Sequence, residues 1–263
     1  MKKISKIEEP LPLRQYRAAN PSGDWEGFRE DQQGKSYRAV KKTAVDDQHG
    51  LCAYCESSLG SGVERQRIEH FHPKSDRSNP AKNWALDWGN LLAVCMGGSQ
   101  SAQTDHEQYP TPDNLSCDAY KGHLVNCQRL PVDCEGLLLN PLIMPTANLF
   151  RFNKRTGHLE VNEQACSATK YQGENHHHSL AELVSNTIAT LNLNCQRLCD
   201  ARLEVMHDYN RQIKKARETR NTAIHAMLAK RWFSKPWAAF FTTRRYLLGT
   251  AAEERLKEWA TSS

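Results

Sequence analysis

No apolar run in this sequence approaches the roughly 20 residues a helix needs to cross a bilayer. The longest, near residues 137–139 and 237–241, stop far short, so a membrane span is excluded. No secretory leader is expected either: the basic start Lys2-Lys3-Ile4-Ser5-Lys6 runs into Glu8, Glu9 and Pro10 rather than into an apolar segment with a cleavage site. Internal repeats and low-complexity blocks are absent, apart from His176-His177-His178, which reads as a loop accident. What remains is 263 residues, 39% of them hydrophobic, enough for a substantial core in one large or two modest domains.

Nine cysteines without a leader predict a cytoplasmic protein whose close thiol pairs serve a metal or redox chemistry rather than structural disulfides. Charge is uneven. Residues 1–135 carry 17 Lys+Arg against 19 Asp+Glu, and residues 136–263 carry 18 against 11, so the C-terminal half supplies most of any polyanion-binding surface.

Residues 8–35, punctuated by Pro10, Pro12, Pro21, Gly23, Gly27 and Gly34, predict an extended arm with a short helix at most. Residues 35–48 predict a helix, stopped by Gly50. After the Cys52/Cys55 knuckle come a turn at Gly60-Ser61-Gly62, a strand over 63–70, a loop forced by Pro73, and a second strand over 91–94 that runs into Cys95. Residues 96–116 form an insertion loop. A hairpin is expected over 149–161, then helix over most of 180–230 with a break near Asn192-Leu193-Asn194, and a last helix over 250–259. The corresponding division is an N-terminal arm and helix (1–49), a central domain with an insertion loop (50–135) and a mainly helical region (136–263).

Cys52-x-x-Cys55 turns tightly enough for both sulfurs to reach one ion, and Cys95 with Cys117 completes a tetrahedral Zn²⁺ site. Their wide separation costs little, because loop-closure entropy grows only logarithmically. Cys127 and Cys134 stand as alternative ligands. A thioredoxin-like dithiol is disfavoured, since Glu56-Ser57-Ser58 and a glycine turn follow where a helix start is needed. Cys166, Cys195 and Cys199 fall in apolar helical patterns and read as core.

Glu69-His70 ends a predicted strand. Neighbouring strand side chains point oppositely, so a division of labour is expected: Glu69 holds a hard divalent cation while His70, outside the metal shell, takes a proton from the attacking water. Asp118, next to Cys117, is the second metal ligand, fixed in place by the thiol site. Lys121 shares its helical face and reaches a phosphate. Asn90 is expected to hold the His70 backbone, and His72 is an auxiliary ligand or packs beneath the loop.

In this order, Cys52-x-x-Cys55, Glu69-His70-x-x-Pro73-Lys74-Ser75, Trp88-x-Asn90-Leu91-Leu92-x-x-Cys95 and Cys117-Asp118-x-x-Lys121-Gly122 resemble HNH endonucleases. More closely they resemble the PtuB nucleases of Septu systems and their retron-associated relatives. The match is densest over residues 50–123 and continues through Leu137-Leu138-Leu139-Asn140-Pro141, Phe150 to Gly157, and Thr190-Leu191-Asn192-Leu193-Asn194 with Arg202. It implies an α+β fold: a zinc-stabilised ββα-metal core with a mainly α-helical C-terminal region. It also implies a histidine general base, catalytic Mg²⁺ or Mn²⁺, and an anti-phage role cutting DNA or tRNA. The implied partners are a PtuA-type SMC/ABC-like ATPase and a retron reverse transcriptase with its DNA-RNA hybrid. Two departures are plain: Glu69 stands where the family commonly has Asp, and the second cysteine pair is split. The competing class is a noncatalytic zinc-binding adaptor. Arg197, Arg211, Lys214, Lys215, Arg217 and Arg220 form the candidate phosphate-binding set.

Overall fold

A computed structural model describes residues 1–60 and 65–262. Helices and two small antiparallel sheets make the fold α+β, as expected. Ser61, Gly62 and the first residues of the strand expected from Val63 lie outside the described residues.

The N-terminal stretch differs from expectation. Instead of an extended arm, residues 8–35 build α1 (Leu11–Ala19) and α2 (Trp25–Glu30). Pro10 stands just before α1 and Pro12 in its first turn, where a missing N–H forfeits no intrahelical bond. Asp24 caps α2 by accepting from the Gly27 N–H at 2.8 Å. Leu13, Trp25 and Phe28 are buried, and at roughly 1.5–3 kcal/mol for each large side chain their burial outweighs the breaker composition.

Helix α3 (Lys35–Asp47) forms where its apolar spacing predicts. Just past its end, Gln48 acts as a short length of strand: its Nε2 donates to the Ala93 carbonyl at 2.7 Å and its Oε1 accepts from the Ala93 N–H at 2.8 Å. Ala93 belongs to β2 (Leu91–Cys95), which pairs antiparallel with β1 (Gln66–His70) so that Glu69 faces Leu92 and His70 faces Leu91. Leu91 to Val94 are fully buried. Helix α4 (Cys117–Asn126) packs on β2.

Residues 96–116 hold no helix or strand, yet their ends are tied together. The Ser116 N–H donates to the Gly97 carbonyl at 2.9 Å, and Gly97 has a φ of 64°. A Cβ at Gly97 would lie 2.2 Å from the Ser116 oxygen, so only glycine permits this closure.

The expected hairpin is β3 (Phe150–Phe152) and β4 (Leu159–Val161). Helices α5 (Glu163–Ala168), α6 (Leu180–Thr190), α7 (Gln196–Glu218), α8 (Ile224–Trp232), α9 (Phe241–Leu248) and α10 (Thr250–Ser262) follow. The break expected near 192–194 is present; a second, at 219–223, is not foreseen by the periodicity. One buried cluster draws on residues from Met1 to Leu247 and surrounds the first sheet, while a smaller one joins Leu51 to α8, α9 and α10. Glu56 connects them: its buried carboxylate accepts from the Thr242 N–H and Oγ1, both at 2.8 Å, and lies 3.1 Å from the Met1 ammonium. The C-terminal helices thereby brace the loop that carries Cys52 and Cys55.

Candidate functional site

Four sulfurs from three distant segments meet. Cys52 and Cys55 come from the knuckle, Cys95 from the end of β2 and Cys117 from the first turn of α4, and their sulfurs all lie within 4.8 Å of one another. The Cys52–Cys117, Cys55–Cys95 and Cys95–Cys117 separations are 3.9, 3.6 and 3.8 Å. A tetrahedral ion bound to sulfur at about 2.3 Å has edges of about 3.8 Å. The cluster therefore has the dimensions of a tetrathiolate Zn²⁺ site. Backbone N–H groups of Cys95 and Gly97 donate to Cys52 Sγ and Cys95 Sγ at 3.4 Å, the kind of support thiolate charge requires. Hydrogen bonds from Cys117, Cys52 and Cys95 hold the Cys55 thiol well below its usual range, and burial raises Cys117. The two alternative ligands lie elsewhere: Cys127 is exposed, and Cys134 turns to the Pro131 carbonyl at 3.3 Å.

Cys117 occupies the left-handed region, with a φ of 58°, a conformation that costs a non-glycine residue on the order of 1 kcal/mol. Its N–H donates to the Leu191 carbonyl at 2.8 Å. Next to Leu191, Asn192 Nδ2 donates to the Asp113 and Leu115 carbonyls, both at 2.8 Å, and Arg197 donates to Ser116 Oγ at 2.8 Å. The Thr190-to-Asn194 signature thus has a physical role: the break between α6 and α7 holds the chain that delivers Cys117. Arg202, 1% exposed, ties that break to the hairpin by donating to the Leu193 and Gly157 carbonyls at 2.7 and 3.2 Å. Of the six basic residues assigned to phosphate, Arg197 is structural; the five from Arg211 to Arg220 are exposed along α7 and the turn after it.

Beside the thiols, β1 faces α4. Arg67 and Glu69, two apart, share one side of the strand. Arg67 Nη2 lies 2.6 Å from Asp118 Oδ2, and Lys121 Nζ donates to Glu69 Oε1. The Glu69 and Lys121 side chains are 11% and 12% exposed. Burial, with the charge of Asp118 adding to it and Lys121 opposing it, pushes the Glu69 carboxyl up to about 8. Burial works against the Lys121 ammonium, but Glu69 and Asp118 outweigh it and hold Lys121 above its ordinary value. Tyr54, fully buried, has a hydroxyl without a hydrogen-bond partner, and after burial itself the largest influences on it are Glu69 and Asp118. The orphaned Tyr54 hydroxyl beside the two carboxylates is a buried polar group that the protein alone does not satisfy. Glu69, Asp118 and Lys121 are thus brought together. Arg67 and Tyr54 complete the group without having been singled out in the sequence. Arg67 was legible only as the position two before Glu69, and Tyr54 as the aromatic inside the knuckle.

His70 faces another way. Its ring meets Trp25 edge-on at 4.6 Å, and its Nε2 lies 3.0 Å from the Ala85 carbonyl. A carbonyl only accepts, so Nε2 carries the hydrogen and the neutral ring keeps its lone pair on Nδ1. Burial pulls the imidazole down to about 4, against the Ala85 hydrogen bond, leaving it neutral at pH 7. Asn90 does not hold the His70 backbone, as expected, but that of His72: Oδ1 accepts from the His72 N–H at 2.7 Å, and Nδ2 donates to the His72 and Trp84 carbonyls at 3.0 and 2.9 Å.

Among the described residues, no helix is long and apolar enough to cross a membrane. No family model matches the sequence. The chain is 38% identical over 251 residues, covering 94% of each chain, to an Escherichia coli protein named "Retron Ec83 putative HNH endonuclease". Likeness at that level, over nearly the full length of both chains, places the protein among the HNH endonucleases of retron systems, and it belongs to that family.

Proposed function

We propose that this protein is a metal-dependent endonuclease that hydrolyses nucleic acid phosphodiester bonds as the effector of a retron antiviral system. The observation that carries this reading is the meeting of Glu69 and Asp118 in a buried pocket of charge, with Asp118 one residue from a four-thiol cluster. The antiparallel β1–β2 pair with α4 packed on it supports a ββα-metal core, and the tetrathiol dimensions support structural Zn²⁺. In this reading residues 50–135 do the chemistry, residues 1–49 brace it, and residues 136–263 serve assembly or nucleic acid binding in the cytoplasm.

Glu69 and Asp118 are the residues that would hold Mg²⁺ or Mn²⁺; their hard carboxylate oxygens suit such an ion. When bound, it would stabilise charge on the phosphate and the leaving oxygen. His70 Nδ1 takes the proton of the attacking water, whose oxygen forms the new bond to phosphorus as the bond to the leaving oxygen breaks. The Ala85 carbonyl keeps the tautomer that presents Nδ1. Lys121, three residues from Asp118 on α4, places positive charge at a flanking phosphate. The partners in this reading are a PtuA-type ATPase and a reverse transcriptase with its DNA-RNA hybrid, as in Septu-like systems.

The test is purification of the products of the whole operon, wild type and His70→Ala, assayed on duplex DNA, single-stranded DNA and total tRNA with Mg²⁺ or Mn²⁺. Cleavage by wild type and loss of turnover in an intact His70→Ala complex are expected. Equal cleavage by both would reject His70 as the base. One observation favours a second reading, a noncatalytic zinc-binding adaptor: the His70 ring is turned to Trp25 and Ala85 while Glu69 is turned to α4. That reading predicts no cleavage of any substrate by the wild-type complex.

A further inference from the structure

We infer that His72, Asp133 and Glu135 form a separate divalent-cation site, suited to Zn²⁺ or an ion of like coordination chemistry, that fastens the segment after β1 to the segment beyond α4. Their ligand atoms lie within 4.8 Å of one another. The decisive member is His72. Its Nε2 lies 2.8 Å from Asp76 Oδ2. That carboxylate also accepts from the Ser78 N–H at 2.8 Å and the Ser78 hydroxyl at 3.0 Å, bonds suited to its ionised, purely accepting form. Nε2 is therefore the protonated nitrogen and Nδ1 carries the lone pair. Metal-bound histidines are oriented in the same way, with the far N–H given to a carboxylate.

Nδ1 is buried and has no hydrogen-bond partner, on a side chain only 9% exposed. It points at carboxylate oxygens, of which Glu135 Oε2 is 3.3 Å away. All these atoms accept and none donates, so the group lacks a positive centre. Two ligands held at about 2.0–2.1 Å from a tetrahedral ion stand about 3.3–3.4 Å apart, the separation found here. One nitrogen with two carboxylates is a donor set for Zn²⁺ or a neighbouring transition ion, with water in the remaining positions.

The site is also rigid. The His72 ring stacks on Trp84 with centroids 3.8 Å apart, and Asn90 grips both the N–H and the carbonyl of the same residue. On the other side, the Glu135 N–H donates to Asp133 Oδ1 at 3.0 Å, which keeps the two carboxylates together. An ion here would lock the chain two residues beyond His70.

The experiment counts metal. Full-length wild type and an Asp133→Asn/Glu135→Gln variant are dialysed against micromolar Zn²⁺, and bound zinc is measured per chain. The wild type should hold one equivalent more than the variant, because the thiol cluster and Glu69–Asp118 are common to both. Equal stoichiometry would overturn the proposal and leave a protonated His72 paired with Glu135. Co²⁺ substitution, whose thiolate charge-transfer band reports the cysteine cluster, checks that the variant is folded. Should the variant not fold, anomalous scattering at the zinc edge from wild-type crystals decides: a peak between His72 Nδ1 and the two carboxylates is expected, and bare density there would refute the site.

Discussion

Asn90 offers the sharpest test of how the turn after β1 is held. Its side chain, in a residue 3% exposed, satisfies three backbone groups: the N–H and carbonyl of His72 and the carbonyl of Trp84. In Asn90→Ala each of the three bonds is lost and each backbone group is left buried without a partner. At about 1 kcal/mol per bond the net loss is roughly 3 kcal/mol, and more if water cannot enter. For a chain of this size that corresponds to a fall in melting temperature of about 6–12 °C. Asn90→Asp sharpens the argument. It keeps the acceptor for the His72 N–H but sets a carboxylate oxygen against two carbonyls, so at pH 7 it should be at least as destabilising as alanine. On acidification the protonated carboxyl regains one donor, and the gap between Asp and wild type should narrow. Thermal unfolding of the three proteins at pH 7 and pH 5, with zinc content measured to confirm that the thiol cluster persists, reads both effects. If Asn90→Asp melts within 2 °C of wild type at pH 7, the amide is not doing what these hydrogen bonds imply.

Cys117→Ser should lose the zinc of the thiol cluster and become unfolded or protease-sensitive around α4; a Co²⁺-substituted variant that keeps the wild-type thiolate charge-transfer band would show that the four sulfurs do not act together. Lys121→Met removes the only cation in contact with Glu69 among the described residues and should cost about 3–5 kcal/mol, most of it recovered in Lys121→Met/Glu69→Leu; a double-mutant cycle in urea measures the coupling. His49, pulled down to about 3 by burial and by Lys2 and Lys235, stacks on Trp237. Because its folded value lies below its unfolded value, its contribution is complete above about pH 6.5 and is lost as pH falls from there toward 3. Its partial exposure reduces the loss to about 1–2 kcal/mol, and His49→Gln, beyond the constant cost of the lost Trp237 stacking, should flatten the stability profile over that window.

The parts of the fold that were legible in the sequence are those whose signal is local. Helix α3, the β3–β4 hairpin, the break between α6 and α7 and the pairing of Cys52 with Cys55 all follow from spacings of a few residues. The N-terminal stretch holds two helices where its proline and glycine content predicts one short helix at most, because Pro10 and Pro12 stand where a helix tolerates them and Asp24 supplies a cap. Glu69, Asp118 and Lys121 were recognised as chemistry, but their mutual pairing and the part played by Arg67 depend on how β1 sits against α4. Asn90 shows the limit most clearly: its buried environment and its service to a loop backbone were foreseeable, whereas the choice of His72 over His70 is decided by the path of a turn that no periodicity encodes.

Both the thiol cluster and the carboxylate pair rely on the same short piece of chain, Ser116 to Asp118, and that piece is held from outside the site. Gly97 closes the loop before it, Leu191 and Asn192 bind its backbone and the carbonyls leading into it, and Arg197 holds Ser116. Cys117 pays for a left-handed backbone conformation, which persists because these contacts over-determine it. The strain has a geometric consequence: one residue turns its sulfur to Cys52 and Cys95 while the next turns its carboxylate to Arg67 and Glu69. The C-terminal helices therefore act on the charged site through the α6–α7 junction, and Asn192→Ala, a residue of neither centre, should weaken zinc retention and the Arg67–Asp118 pairing together. Loss of one without the other would mean that the two centres are positioned independently.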